Sequence, residues 1–300
     1  GSLGDIIFSL EPFLAIHNSF SNSVIDLLTE HKFISFFRKM KIFDQFFIDN
    51  RGGLFASISV IYKIITGKYD LIIDLQNSKR TNLYHLFSRL FSTARINGSG
   101  SFSHDRYIIP LQGKESPTQG LFNQLDLINV TKSESELDWL EENISDLNLE
   151  NKKVILVIPG SSKSGKFKQW PSVNFRDLCL YLELNGYHIC LVGTKNDEES
   201  IKPILKTCKN IINLIDKSPP GVIYSVAQKS KLIISNDTGP GHIASLSNVN
   251  TLWLALDNKI TKSNLNYRKN NHLLLKKIIN SISVEEVKNF ISKKGLLDKV

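Results

Sequence analysis

The chain has 300 residues, 41% of them apolar and 22% charged, with a formal net charge of +8. Those values fit an ordinary globular protein with room for two cores, and no apolar run approaches the roughly 18–20 residues of a membrane span. The positive charge would suit nucleic acid, an anionic membrane surface or phosphate-bearing substrates, yet zinc spacing, an RNA-binding aromatic signature and a helix-turn-helix are all missing, so no nucleic-acid partner is expected.

The chain opens on GSLGD, followed by IIFSLEPFLAI, an apolar run with helical spacing. A buried strand ordinarily precedes such a loop; none precedes it here, so the first domain is expected to lack its first strand. YDLIIDL (69–75) reads as a buried strand, TNLYHLFSRLF as a helix, and ARING and RYIIPL as shorter extended pieces. The polar SDLNLENKK (145–153) is the best linker, and it divides the chain into expected domains 1–148 and 149–300.

The second half alternates more cleanly. KKVILVIPG, YHICLVGT, NIINLI, KLIISND and NTLWLAL read as strands, with NTLWLAL closing the series; FRDLCLYLELNG, DEESIKPIL, GVIYSVAQKS and GPGHIASLSN read as helices between and after them. This is the pattern of a doubly wound α/β domain, whose ligand sits at the carboxyl ends of its strands. The three cysteines, Cys179, Cys190 and Cys208, lack CxxC spacing and read as buried free thiols in a reducing cytoplasm.

Four loops carry residues capable of chemistry. In SNDTGPGH (235–242), Asp237 or Thr238 can cap a helix whose first N–H groups face an anion, with Gly239 permitting tight backbone; the same pattern also describes a plain capped turn. His242 alone reads equally as a packed histidine. PGSSKSGKFKQWP (159–171) offers Ser161 and three lysines to a leaving phosphate, or is an exposed basic loop. LVGTKNDEES (191–200) places acidic groups where ribose hydroxyls bind, or where a helix N-terminus favours them. In DLQNSKR (74–80), Gln76, Asn77 and Arg80 would face a ligand at the strand end, where Arg80 could grip an anionic acceptor at two points or merely cap a surface loop.

In order and spacing these loops resemble the heptosyltransferase family of GT-B glycosyltransferases (glycosyltransferase family 9), which build the inner core of lipopolysaccharide. GSLGD resembles the opening loop, YDLIIDLQNSKR the second marker, PGSSKSGKFKQWP the third and SNDTGPGHIAS the most diagnostic one; LVGTKNDEE and the terminal SISVEEVKNFI follow in family order. The resemblance implies two Rossmann-like doubly wound domains facing a central cleft, an amino-terminal one for the acceptor and a carboxyl-terminal one for the donor. It implies inverting transfer of a sugar, heptose by family default, from a nucleotide-sugar donor to a lipopolysaccharide-core glycolipid. No metal and no cofactor beyond the nucleotide-sugar co-substrate, ADP-linked by the same default, are implied.

By the same resemblance Asp5 is the general base and Lys168 stabilises the leaving diphosphate. Ser161, Glu198, Asp237, Thr238, Gly239 and His242 bind the donor; Gly4, Gln76 and Arg80 bind the acceptor. The implied location is cytoplasmic, with peripheral contact at the inner-membrane surface. One stretch departs from the pattern: after the last strand the family has a Gly-Pro-Thr-like turn, whereas LALDNKITKSNLNY holds neither Gly nor Pro. A GT-B-fold nucleotide-sugar epimerase or hydrolase, or a non-catalytic binding homologue, stays open as an alternative.

Overall fold

The computed structural model describes residues 3–132, 137–161 and 163–297. The chain forms two compact units, Gly1–Leu111 with Pro117–Trp139, and Gln112–Ser116 with Leu140–Val300. The division falls at Trp139/Leu140, ahead of the polar 145–153 stretch, because residues 140–142 already pack with the second unit. Leu140 is buried, the Glu142 N–H donates to Ser225 Oγ at 2.8 Å, and Gln228 Nε2 donates to Glu141 at 2.8 Å.

The first unit runs α1 (Leu3–Ser19), β1 (Asp26–Thr29), α2 (Ile34–Arg38), β2 (Gln45–Ile48), α3 (Gly53–Thr66), β3 (Leu71–Ile73), α4 (Lys79–Phe91), β4 (Arg95–Gly98), β5 (Asp105–Arg106) and α5 (Pro117–Asp126). Its strands are parallel, as the alternation requires, but among the described residues they form two ladders, β1–β2 and β3–β4–β5, rather than one sheet. Of RYIIPL only Arg106 pairs; Ile108, Ile109 and Leu111 are exposed. The core gathers Ala15 and Ile16 of α1 with Phe122 and Leu125 of α5 and the flanking Ile25 and Ile73. Beside it, Phe13, Phe37 and Phe43 meet edge to face at 5.3–5.9 Å, the geometry that ring quadrupoles favour.

Helix α1 contains Pro12. Proline has no N–H to give the carbonyl four residues back. That carbonyl, on Phe8, instead accepts a hydrogen bond from Thr118 Oγ1 of α5 at 3.1 Å. The position that Pro12 cannot fill in one helix is thus used by the helix packed against it.

The second unit runs β6 (Val154–Ile158), α6 (Ser172–Leu184), β7 (His188–Leu191), α7 (Glu198–Thr207), β8 (Ile211–Asn213), α8 (Pro220–Gln228), β9 (Ser230–Asn236), α9 (Gly239–Ser245), β10 (Thr251–Leu256), α10 (Lys259–Leu265), β11 (Asn271–Lys276) and α11 (Val284–Lys293). Among the described residues its six strands are all parallel, in the order β11-β10-β9-β6-β7-β8. NTLWLAL therefore does not close the series. A further strand, NHLLLK, pairs along β10; as a half-buried edge strand behind a polar run, it lacks the continuous apolar character of its neighbours.

Alternation along the strands separates two faces. Ile155, Val157, Ile189, Leu232 and Leu252 join a core with Phe175, Leu178, Ile204 and Val287 of α6, α7 and α11. The intervening Leu156, Ile158, Ile233 and Trp253 are equally buried, and Trp253 packs with Leu265 of α10 on the opposite face. The three cysteines are buried free thiols, and burial pushes Cys190 up to about 12. Among the described residues no helix is long and apolar enough to cross a membrane.

Thr118→Val should lower unfolding stability by about 1–3 kcal/mol, because it leaves the Phe8 carbonyl buried without that donor. In a Pro12→Ala background the penalty should shrink, since alanine at that position supplies the missing N–H. Denaturant titration of the four-member cycle measures the coupling, and independent, additive losses would contradict this account.

Candidate functional site

Chain order places β7 and β8 on one side of β6, and β9, β10 and β11 on the other. The winding direction thus reverses between β6 and β9. In an open α/β sheet the loops at the carboxyl ends of two such strands part and leave a ligand crevice. Residues 159–161 and 237–239 follow those two strands.

Asn236, the last residue of β9, ties the two ends together. It is fully buried; its Nδ2 donates to Pro159 O at 2.8 Å and its Oδ1 accepts from Trp170 N at 3.0 Å. The indole Nε1 of buried Trp170 donates to Ile282 O at 2.8 Å, which fixes the direction of the preceding residues. Lys168, in the short 3-10 helix Lys163–Lys168, consequently reaches Asp237, with Nζ 3.0 Å from Oδ2. On its other oxygen Asp237 meets His242 Nε2 at 3.3 Å, and the buried imidazole lies 5.0 Å, centroid to centroid, from the Trp253 indole.

Burial alone would raise the Asp237 carboxyl. The His242 hydrogen bond and the charge of Lys168 outweigh it and hold the group at about 2, against an ordinary 3.8. Asp237 is therefore a permanent anion at neutral pH, and the helix cap falls to its neighbour. Thr238 is the N-cap of α9, its Oγ1 accepting from Gly241 N at 3.4 Å. Gly239 opens that helix. Gly241 has no room for a side chain: a Cβ there would overlap Ser235 Oγ and lie 2.8 Å from the Trp253 ring.

Ser161 lies at the same crevice, half-buried, its N–H donating to Asp197 Oδ1 at 3.2 Å and its hydroxyl to Gln169 Oε1 at 3.1 Å. Asp197 is the acidic residue that turns inward here. Its Oδ2 accepts from Thr194 N and Oγ1, both at 2.9 Å, in a capping box, and a Cβ on Gly160 would collide with its carboxylate. Glu198 points outward, 72% exposed, 3.7 Å from Lys202, and Glu199 pairs with Lys166. The Thr-x-x-Asp spacing in TKND was the signal for Asp197. Where the family has its Gly-Pro-Thr-like turn, Asn258 caps α10 through its side chain.

In the first unit, the described residues show no loop at Gly4 and Asp5. Helix α1 begins at Leu3, so both stand in its first turn, with Asp5 exposed. Gln76 sits past the end of β3, exposed, its Oε1 accepting from the guanidinium of Arg51 at 3.0 Å. The loop holding it is rigid: Asp74 Oδ1 accepts the N–H groups of Gln76 and Asn77 at 2.9 and 3.0 Å. Asn77, in the left-handed region at φ 50°, donates to fully buried Gln124, 2.6 Å away.

Arg80 is engaged rather than free. Its Nη2 lies 2.7 Å from Asp49 Oδ1 and its Nε donates to Oδ2 at 3.1 Å, a two-point pair joined by Tyr84 Oη at 2.8 Å. Burial works against the charge on Asp49, but the Arg80 fork and neighbouring donors hold its carboxyl below the ordinary range. Arg51, more exposed than Arg80, was not anticipated. No local sequence signal marks it, because its place is set by β2 ending beside the residues that follow β1 and β3, where it meets Glu30 and Gln76.

Residues 117–263 match the family model of glycosyltransferase family 9 (heptosyltransferase). A lipooligosaccharide heptosyltransferase 2 from Haemophilus ducreyi is 32% identical over 104 residues, 33% of this chain and 30% of that protein. The match thus spans less than a third of that curated relative. The solved glycosyl transferase family 9 structure from Veillonella parvula agrees with a TM-score of 0.77 at 19% identity, over 100% of this chain and 95% of that one. E. coli heptosyltransferase WaaC with ADP-2-deoxy-2-fluoro heptose agrees with a TM-score of 0.75 at 16% identity, over 98% and 97%. The resemblance read from the motifs is borne out, and the fold is the α/β GT-B type of these structures.

The acid limb of stability should report on Asp237. Its depressed pKa stabilises the fold above the unfolded value, and that contribution is lost as pH falls from about 4 through about 2. Asp237→Asn should therefore cost about 2 kcal/mol at pH 7 and flatten the stability profile in that window. Denaturation midpoints from pH 2 to 7 test it; an unchanged acid limb would remove the ion pair from the account.

Proposed function

We propose, from the premise of a glycosyltransferase family 9 (heptosyltransferase) match over residues 117–263, that the protein is an inverting, metal-independent glycosyltransferase. It moves a sugar from a nucleotide-sugar donor to a hydroxyl of a lipopolysaccharide-core or related glycolipid. The observation that carries this reading is the Lys168–Asp237–His242 set at the winding reversal between β6 and β9, inside the matched segment.

The second unit holds the donor. Asp237, kept charged by Lys168 and His242, repels phosphate oxygens and faces sugar hydroxyls, while the Lys168 ammonium is shared between Asp237 and the diphosphate as it leaves. A cation stabilising charge that develops only in the transition state lowers the barrier without tightening the ground state. Ser161, Thr238 and Gly239 supply polar and backbone contacts to the donor, and Glu198 contacts the nucleoside. Asp197 positions the 160–161 backbone rather than touching the ligand.

The first unit holds the acceptor, through Gly4 and Gln76, with Arg80 positioning the loop that carries Gln76. Asp5 takes the proton of the acceptor hydroxyl as that oxygen attacks the anomeric carbon from the face opposite the diphosphate. The new glycosidic bond forms as the bond to the diphosphate oxygen breaks. Arg80 acts through its two-point pair with Asp49, fixing the start of α4 beside Gln76. A heptose donor linked to ADP and action at the cytoplasmic membrane face complete the reading.

Calorimetric titration with ADP-, UDP-, GDP- and CMP-sugars should give binding to an ADP-sugar; silence toward all four would overturn the assignment. Asp5→Asn should abolish transfer while donor affinity is kept, because the base acts only on the acceptor. Lys168→Ala should lower kcat by about 10²-fold with little change in donor affinity, and an unchanged kcat would return the lysine to a purely structural role. Nucleotide release without acceptor would favour the hydrolase or epimerase alternative.

A further inference from the structure

Helices α3 and α4 pack against each other in the first unit, and their outward face is inverted relative to an ordinary surface helix. On α3, Phe55, Ile58 and Tyr62 are 88%, 51% and 67% exposed, at positions i, i+3 and i+7 of one helical face. Ser57, on the inward side, is buried with its hydroxyl bonded to Gly53 O at 3.0 Å. On α4, Leu83, Leu90 and Phe91 are exposed as well. Single exposed apolar residues need no explanation, but two neighbouring helices each presenting three do.

The charges of the two helices are of one sign. Neither contains an aspartate or a glutamate, while Lys63, Lys79 and Arg89 lie on them and Lys68 flanks α3; Arg80 and Arg51 are already paired with Asp49 and Glu30. A surface of uniform negative charge over an apolar layer matches both features at once: basic groups meet headgroups, while Phe, Ile and Tyr side chains enter the acyl boundary. Tyrosine suits that depth, with its ring in the apolar layer and its hydroxyl at the headgroups.

We infer that the α3–α4 face is an interfacial membrane-contact surface whose partner is an anionic phospholipid bilayer. The inference deepens the proposed function and rests on it for the role of the contact, which brings the acceptor-holding unit to the surface where a glycolipid resides. The exposed side chains of α3 enter the bilayer, and the binding is reversible because no described helix spans it.

The test is sedimentation of the full chain with vesicles of phosphatidylglycerol and phosphatidylethanolamine, free of glycolipid, against vesicles of phosphatidylcholine alone. Binding to the anionic vesicles, weakening as salt rises, is expected. The triple variant Phe55→Ser, Ile58→Ser, Tyr62→Ser should bind at least about tenfold more weakly with its nucleotide-sugar calorimetry unchanged. As a second readout, Phe55→Trp should give a blue-shifted emission on addition of anionic vesicles. Failure of the wild-type chain to sediment, or equal partition of the triple variant, would overturn the inference. So would a dimer in lipid-free buffer that the triple variant dissolves, since a second copy would then cover this face. Vesicle binding without binding of any nucleotide-sugar would support the membrane surface and reject the glycosyltransferase reading, so the two failures are distinguishable.

Discussion

The side chain of Asn236 is the constraint on which the second unit's site depends. At the point where two neighbouring parallel strands send their chains in opposite directions, their terminal backbone groups lose ladder partners and are still buried. Asn236, the last residue of β9, holds the chain that leaves β6 at two points, donating to Pro159 O and accepting from Trp170 N. An amide is suited to this because it carries donor and acceptor on one rigid group. Trp170, anchored at its indole by Ile282 O, then sets where Lys168 emerges, and α6 and α11 pack under it. The position of the site's cation follows from a buried amide two strands deep in the sheet.

Two carboxylates, one in each unit, show how the partner's chemistry decides what an ion pair is for. Asp49 is gripped at two points by Arg80, with Tyr84 completing the set; a planar fork on a carboxylate is directional and holds geometry. Asp237 meets the ammonium of Lys168 at 3.0 Å and an imidazole on its other oxygen. A lysine ammonium is a compact charge on a flexible stem, able to swing between neighbouring anions without breaking a matched pair of bonds. The first arrangement suits a fixed loop; the second suits a charge that changes partners as a bond breaks.

The second unit was legible because burial on both faces of a parallel sheet leaves uninterrupted apolar strands such as VILVI and LWLAL, each running into turn residues at its carboxyl end. The first unit was less so. DLLT and QFFI are four-residue strands, only partly buried, and a short run with one or two inward residues carries no readable period. NHLLLK escaped for the related reason that an edge strand is half solvated. GSLGD read as a loop because of its two glycines, yet residues from Leu3 onward are helical, since the apolar face of α1 is held by α5 and outweighs the propensity of Gly4.

The α/β class, the order of loops at strand ends and the residue types those loops carry are all readable along the chain. These rest on local pattern: apolar runs, caps and glycines act over a few neighbouring residues. Tertiary packing settles that Arg80 is bound to Asp49 and that Lys168, Asp237 and His242 stand together, whereas the inward turn of Asp197 is already marked by its capping-box spacing. Lys168 and Asp237 are 69 residues apart, and a side chain's partner across such a distance is chosen by strand order and register, not by the residues beside it. The outward apolar face of α3 is the converse case: its spacing is plain in the sequence, but only packing shows that the apolar side is the one left uncovered.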